Sequence, residues 1–171
     1  KMVYSDLGFI LLGEAAARAG GKPLAELERA LLVEPLGLKS TMRTPAKSLW
    51  SRIAPTERIA GDNKTAGESR FIRGVVHDEN ARSGEGHTGH AGLFATADDV
   101  GRLAQEWLVA VGPASASGDA EKRGKVFPHE LARSAITRRE LPPGSSRSLG
   151  WDTPSGKSSS GSKMPKAFGH T

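Results

Sequence analysis

The sequence contains no cysteine. Disulfides, thiol nucleophiles and zinc-thiolate centres are therefore excluded, while the redox compartment stays open. Aromatic residues make up only 5% and apolar residues 37%, so any core must rest on Leu, Ala, Val and Ile. No run approaches the roughly 20 apolar residues of a membrane-spanning helix, and Lys1-Met2-Val3-Tyr4 leads into a helical pattern rather than a signal peptide. Glycine is abundant: 21 residues, beside 10 prolines, imply many turns. At 171 residues the chain has the length of one ordinary domain.

The formal net charge is +5. A polyanion site needs that excess clustered, but Arg43, Lys47, Arg52, Arg58, Lys122, Arg123, Lys125, Lys157, Lys163 and Lys166 are spread along the chain. No arginine-rich helix or aromatic ladder accompanies them, so they read as a solvated surface and not as a nucleic-acid interface.

Hydrophobic spacing predicts a helix over residues 5–19, carrying Leu7, Ile10, Leu11, Leu12 and Ala15, with Ser5 to cap it and Gly20-Gly21 to stop it. A second follows Pro23, with Leu24, Leu27, Leu31 and Leu32 on one stripe, and ends at Glu34-Pro35-Leu36-Gly37. Residues 40–75 read as long loops with brief extended pieces. Thr96 is placed to cap a helix bearing Val100, Leu103, Ala104, Trp107 and Leu108, with Asp99 at the capping-box position. A short helix is expected over residues 129–137 and a strand over 148–152, and another strand begins at 167–171. Residues 112–125 and 153–166 read as flexible insertions or turns.

Tyr4-Ser5-Asp6 at the front of a helix is the first group able to carry chemistry. A tyrosine hydroxyl titrates near 10 in isolation and acts as a base only where cations share its proton; a helix N-terminus adds positive potential. On these residues alone, packing is the better explanation of the tyrosine. His77-Asp78 and His87-x-x-His90 offer imidazole and carboxylate donors, but their spacing is loose and not helical, which argues against a metal site.

Five blocks together are more specific. Tyr4-Ser5-Asp6-Leu7-Gly8-Phe9-Ile10-Leu11-Leu12-Gly13-Glu14, Gly21-Lys22-Pro23-Leu24, Glu34-Pro35-Leu36-Gly37-Leu38, His77-Asp78-Glu79-Asn80-Ala81 and Gly89-His90-Ala91-Gly92-Leu93-Phe94-Ala95-Thr96 resemble, in order, segments of the class C β-lactamase-like serine hydrolases. The resemblance spans most of the chain. It implies an α+β β-lactamase-like fold, of which these residues cover mainly the helical domain plus one or two strands of the antiparallel sheet. It also implies acyl transfer on a small ester, amide or peptide, with no cofactor and no metal; a periplasmic or extracellular address is common in the family.

Three motifs serve that chemistry. Ser-x-x-Lys puts an ammonium one helical turn from the nucleophile, a tyrosine triplet completes the proton relay, and a Lys- or His-Thr-Gly strand edges the site. The resemblance assigns the triplet to Tyr4-Ser5-Asp6, making Tyr4 and Asp6 catalytic, and starts the strand motif at His170-Thr171, with His170 catalytic and Thr171 substrate-binding. Asp6 stands where many β-lactamases have Asn, and an ionised carboxylate accepts hydrogen bonds without donating them. His170 in place of lysine weakens the charge that would hold a substrate carboxylate. Both departures favour an esterase or peptidase over a β-lactamase.

His87-Thr88-Gly89 reads as loop, and Lys64-Thr65-Ala66-Gly67 lacks the adjacent glycine. The one literal Ser-x-x-Lys, Ser160-Gly161-Ser162-Lys163, lies in a Gly/Ser tract before Met164-Pro165, where no helix could hold the pair. The nucleophile is thus expected upstream of Tyr4, so residues 1–171 read as a partial domain, inert by themselves. A non-catalytic scaffold that keeps the fold is the other reading.

Overall fold

Ser5 Oγ accepts the Leu7 N–H at 3.3 Å, and the chain turns into helix α1 (Leu7–Gly20) from Asp6. The helix stops at Gly21, whose φ of 63° is left-handed, a conformation that glycine adopts without a Cβ penalty. The computed structural model describes residues 3, 5–59, 70–113, 124–155 and 167–170. These form two compact units, residues 5–102 and residues 103–171 with 1–4.

In the first unit, α1 packs through small residues. Gly13 is buried, and a Cβ there would approach Gly89 Cα to 2.9 Å. The expected apolar stripe lies outside this contact: Leu7, Leu11 and Leu12 are 66%, 69% and 60% exposed. Backbone-to-backbone approach, rather than leucine burial, therefore docks α1 on the 86–92 loop. Helix α2 (Leu24–Glu28) runs into a π-helical turn, Arg29–Val33, and then α3 (Glu34–Leu36). The π turn shifts the register by about one residue; within it Leu32 is half-buried while Leu31 is exposed.

A 3₁₀ turn (Lys47–Arg52) precedes a two-stranded antiparallel sheet, β1 (Glu57–Ile59) with β2 (Arg70–Ile72), in the register Glu57 opposite Ile72. The loop 40–75 thus holds the brief extended pieces that its composition predicts. Helix α4 (Glu79–Ser83) follows, and α5 (Ala97–Val111) starts where Thr96 Oγ1 accepts the Asp99 N–H at 3.4 Å. Asp99 is not a capping-box acid, which corrects the expectation. Its buried carboxylate accepts from the Ser40 N–H at 2.7 Å and the Thr41 hydroxyl at 2.9 Å. The side chain is too short to reach back to its own cap and is recruited by a turn 58 residues away in sequence.

The second unit packs Trp107 against Phe127 and Trp151, with ring centroids 4.3 and 5.1 Å apart, and Trp151 against Phe168 at 4.9 Å. Such pairs add to plain area burial. Buried Glu106 accepts the Val126 and Phe127 N–H groups at 2.7 and 3.3 Å, which fixes the approach to α6 (His129–Ile136). The strand expected over 148–152 is instead a tight turn. Ser148 N–H reaches Trp151 C=O at 2.9 Å, and Gly150 has a φ of 81°. Asp152 then bridges Gly169 in both directions, at 2.7 and 3.0 Å, a single isolated antiparallel bridge, so the strand expected from residue 167 is not formed among the described residues 167–170. Insertion 112–125 falls largely, and 153–166 mostly, outside the described residues, as does Ser160-Gly161-Ser162-Lys163.

The core is thin in bulk. Leu38, Ala81, Ala110 and Ala132 are the buried apolar residues among those described, while Arg43, Asp99, Glu106 and Asp152 are also buried. Polar anchors, each hydrogen-bonded, hold what apolar bulk does not.

Candidate functional site

The first unit brings three of the recognised blocks to one place. Asp78 ends an extended residue ahead of α4 and caps it, its Oδ1 accepting the Ala81 N–H at 2.8 Å. The same oxygen meets His90 Nε2 at 2.8 Å. These bonds, first the Ala81 N–H and then the His90 contact, hold the Asp78 carboxyl below its ordinary range. Asn80, the second residue of α4, donates through Nδ2 to Asp6 Oδ2 at 3.3 Å. A carboxylate or imidazole oxygen or nitrogen from each of Asp6, Asp78 and His90 lies within 4.8 Å of the others.

Arg43 fixes the loop that carries His90. Its NH1 donates to the carbonyls of Gly86, Thr88 and Ala91 at 2.6, 2.9 and 3.0 Å. Its Nε and NH2 form a fork with Glu28 at 2.6 and 2.5 Å, a geometry that only a guanidinium provides. Gly92 closes the loop with a φ of 112°, and a Cβ at that position would overlap the Gly86 carbonyl. Gly89 is equally constrained, since a Cβ there would overlap the Phe9 carbonyl oxygen of α1. His87-Thr88-Gly89 is accordingly a bend and not a strand motif. Within the loop, Thr88 Oγ1 and His90 Nδ1 are buried without a hydrogen-bond partner among the described residues.

On the other side of α4, Arg82 donates to Glu57 at 2.8 Å and to the Val76 and His77 carbonyls at 3.2 and 3.1 Å. The Arg82 bond lowers the Glu57 carboxyl, against the opposing effect of desolvation. This fastens the segment before Asp78 to β1. A neighbouring cleft of about 580 Å³ is lined by Met42, Leu49, Ile53, Val76 and Phe94, with Arg52 and His77 at its polar parts.

Of the residues singled out by sequence, Asp6 lies in this cluster. Tyr4 and Thr171 fall outside the described residues. His170 is exposed in the second unit, next to the Asp152–Gly169 bridge. Asn80, Arg43 and Glu28 were not singled out. Asn80 stands inside the His77-Asp78-Glu79-Asn80-Ala81 block, whose Asp before a helical run was the available signal; nothing in sequence pairs Glu28 with Arg43.

Comparison with known proteins shows the family. The Beta-lactamase family model matches residues 1–171, and the chain belongs to this serine β-lactamase-like family. It is 40% identical over 118 residues to an N-acetylmuramyl-L-alanine amidase of Bacillus subtilis, covering 63% of this chain and 26% of that protein. It is 30% identical to a putative D-alanyl-D-alanine carboxypeptidase of Salmonella agona, covering 100% of this chain and 40% of the relative. The octameric penicillin-binding protein homologue of Pyrococcus abyssi superposes with a TM-score of 0.54 at 14% identity, over 88% of this chain and 30% of that one. The β-lactamase/D-alanine carboxypeptidase of Yersinia pestis, complexed with citrate, gives 0.50 at 23%, over 87% and 37%. The chain therefore spans a quarter to two fifths of its curated relatives' length, and the fold is α+β and β-lactamase-like. No helix among the described residues is long and apolar enough to cross a membrane.

Proposed function

We propose that this chain is part of a serine hydrolase that acts by acyl transfer on an amide or ester, and that it is inactive alone. The observation that carries the reading is the family match across residues 1–171, with Tyr4-Ser5-Asp6 directly ahead of α1. The names of the relatives, an amidase and putative carboxypeptidases, favour the D-peptidase branch over the esterase and β-lactamase branches.

In this reading a serine on a Ser-x-x-Lys helix outside residues 1–171 attacks the substrate carbonyl. Its proton passes to the lysine–Tyr4 pair, a tetrahedral oxyanion forms, and the relay returns the proton to the leaving group. Water then cleaves the acyl-enzyme by the same route. Asp6 accepts from the lysine and from Asn80, while His170 and Thr171 edge the oxyanion and the substrate. The share of the relatives' length that the chain covers supports a nucleophile located elsewhere in the protein.

Tyr4→Phe in the longer protein is the test. It keeps the ring and removes the relay oxygen, so kcat should fall about a hundredfold to ten-thousandfold with KM little changed. An unchanged kcat would remove Tyr4 from the mechanism. The second reading, a scaffold that keeps the fold without the chemistry, is decided by the sequence ahead of Lys1: a helix with no Ser-x-x-Lys favours it.

A further inference from the structure

Asp6 stands at the N-cap position of α1 but makes no side-chain capping bond. Its carboxylate is turned to α4 instead, where Oδ2 accepts Asn80 Nδ2 at 3.3 Å. An ionised carboxylate can only accept, whereas a carboxamide nitrogen carries two N–H groups. One of these goes to Asp6. The other has no partner among the described residues, and Asn80 is exposed to solvent.

Although exposed, Asn80 is held in place. Its neighbour Ala81 is buried, and Asp78 caps the turn through the Ala81 N–H while also meeting His90. Arg82 ties the following residue to Glu57 and to the Val76 and His77 carbonyls. With its backbone fixed on both sides and its nitrogen held by Asp6, the carboxamide loses little freedom on meeting a ligand, so its spare donor is pre-organised.

A peptide or N-acyl substrate brings amide carbonyl oxygens besides the bond to be cleaved. Beside an ionised Asp6 alone, such an oxygen meets another acceptor and no donor. We infer that Asn80 is a specificity-determining residue of the proposed hydrolase: Asp6 holds its carboxamide, and the free N–H donates to an amide carbonyl in the acyl part of the substrate. Acyl groups that carry an amide are thereby selected over plain ones, because a site that hydrogen-bonds a substrate group disfavours the analogue lacking it. The inference rests on the hydrolase reading, in which Asp6 lies at the reacting centre, and it adds no covalent step to the relay.

The test compares two esters with one leaving group on the longer protein: the p-nitrophenyl ester of N-acetylglycine, and p-nitrophenyl pentanoate, whose acyl chain has the same length without the amide. The parent should turn over both and prefer the first in kcat/KM. Asn80→Ala should lower kcat/KM on the N-acetylglycyl ester about tenfold, the order of one neutral hydrogen bond, and leave the pentanoate within about threefold. Asn80→Asp, of the same shape but without the donor, should lose the preference as well, and it carries the test if Asn80→Ala destabilises α4. Equal losses on both esters, or no loss on either, overturn the inference while the parent's turnover leaves the hydrolase reading standing. A parent that turns over neither ester fails that reading itself, and the inference falls with it.

Discussion

Removing Arg43 should cost more stability than any other single polar change in the first unit. Its side chain is 5% exposed and that of Glu28 18%, so the fork between them is shielded from water. Arg43→Ala leaves the Glu28 carboxylate buried without its partner, and this kind of broken pair costs about 3–5 kcal/mol. It also strips a donor from the Gly86, Thr88 and Ala91 carbonyls, each of which carries a penalty of about 1–3 kcal/mol if water cannot replace it. The larger figure, about 5 kcal/mol, is comparable to the whole stability of a small domain. Arg43→Lys keeps the charge but not the fork, and should recover less than half of the loss. Arg18 and Glu14 make a 2.6 Å pair as well, but their side chains are 80% and 58% exposed, and Arg18→Ala should cost under about 0.5 kcal/mol. The assay is urea unfolding followed by circular dichroism, with Glu28→Ala and the double variant completing a cycle. An Arg43→Ala loss below about 1 kcal/mol, or equal to that of Arg18→Ala, would refute the buried-clamp argument.

Gly89→Ala should destabilise by about 1–3 kcal/mol, because its Cβ has no space beside the Phe9 carbonyl; a neutral effect by thermal melting would show that α1 and the loop separate freely. Asp99→Ala removes the acceptor of the Ser40 and Thr41 bonds and should cost about 1.5–3 kcal/mol in urea unfolding. The Asp78 carboxyl is held below its ordinary 3.8 in the folded state, so its contribution to stability is complete above that value and is lost as pH falls through the lowered one. The stability gap between the parent and Asp78→Asn should therefore be constant near neutrality and shrink below about pH 4; a gap that widens on acidification contradicts the pairing. The isolated chain, with Leu7, Leu11 and Leu12 of α1 largely exposed, should melt below about 60 °C, and a sharp transition above that would show a better-filled core.

The sequence made local structure legible where one turn of chain decides it. Gly21 ends α1, Thr96 opens α5, and the helix over residues 129–137 is α6, because caps and periodicity act over a few residues. Long-range recruitment was not legible. Asp99 leaves its own helix for Ser40 and Thr41, and a π turn moves Leu31 off the stripe. The strand expected over 148–152 fails at Gly150, whose positive φ turns the chain back on itself. The cluster was half visible. Asp78 and His90 each stood in a recognised block, and their 12-residue separation looked too loose for a shared site, because Arg43, which ties the loop that carries His90 to Glu28 of α2, lies more than 30 residues upstream. The family blocks carried the fold further than periodicity did, since their order constrains the whole chain at once.

The central claim, that these residues supply the proton relay but not the nucleophile, is tested most directly by mapping a covalent probe. A fluorophosphonate or penicillin probe should leave the isolated 171-residue chain unlabelled. In the longer protein it should modify one serine of a Ser-x-x-Lys pair outside these residues. Stoichiometric labelling of any serine within residues 1–171 would contradict the account.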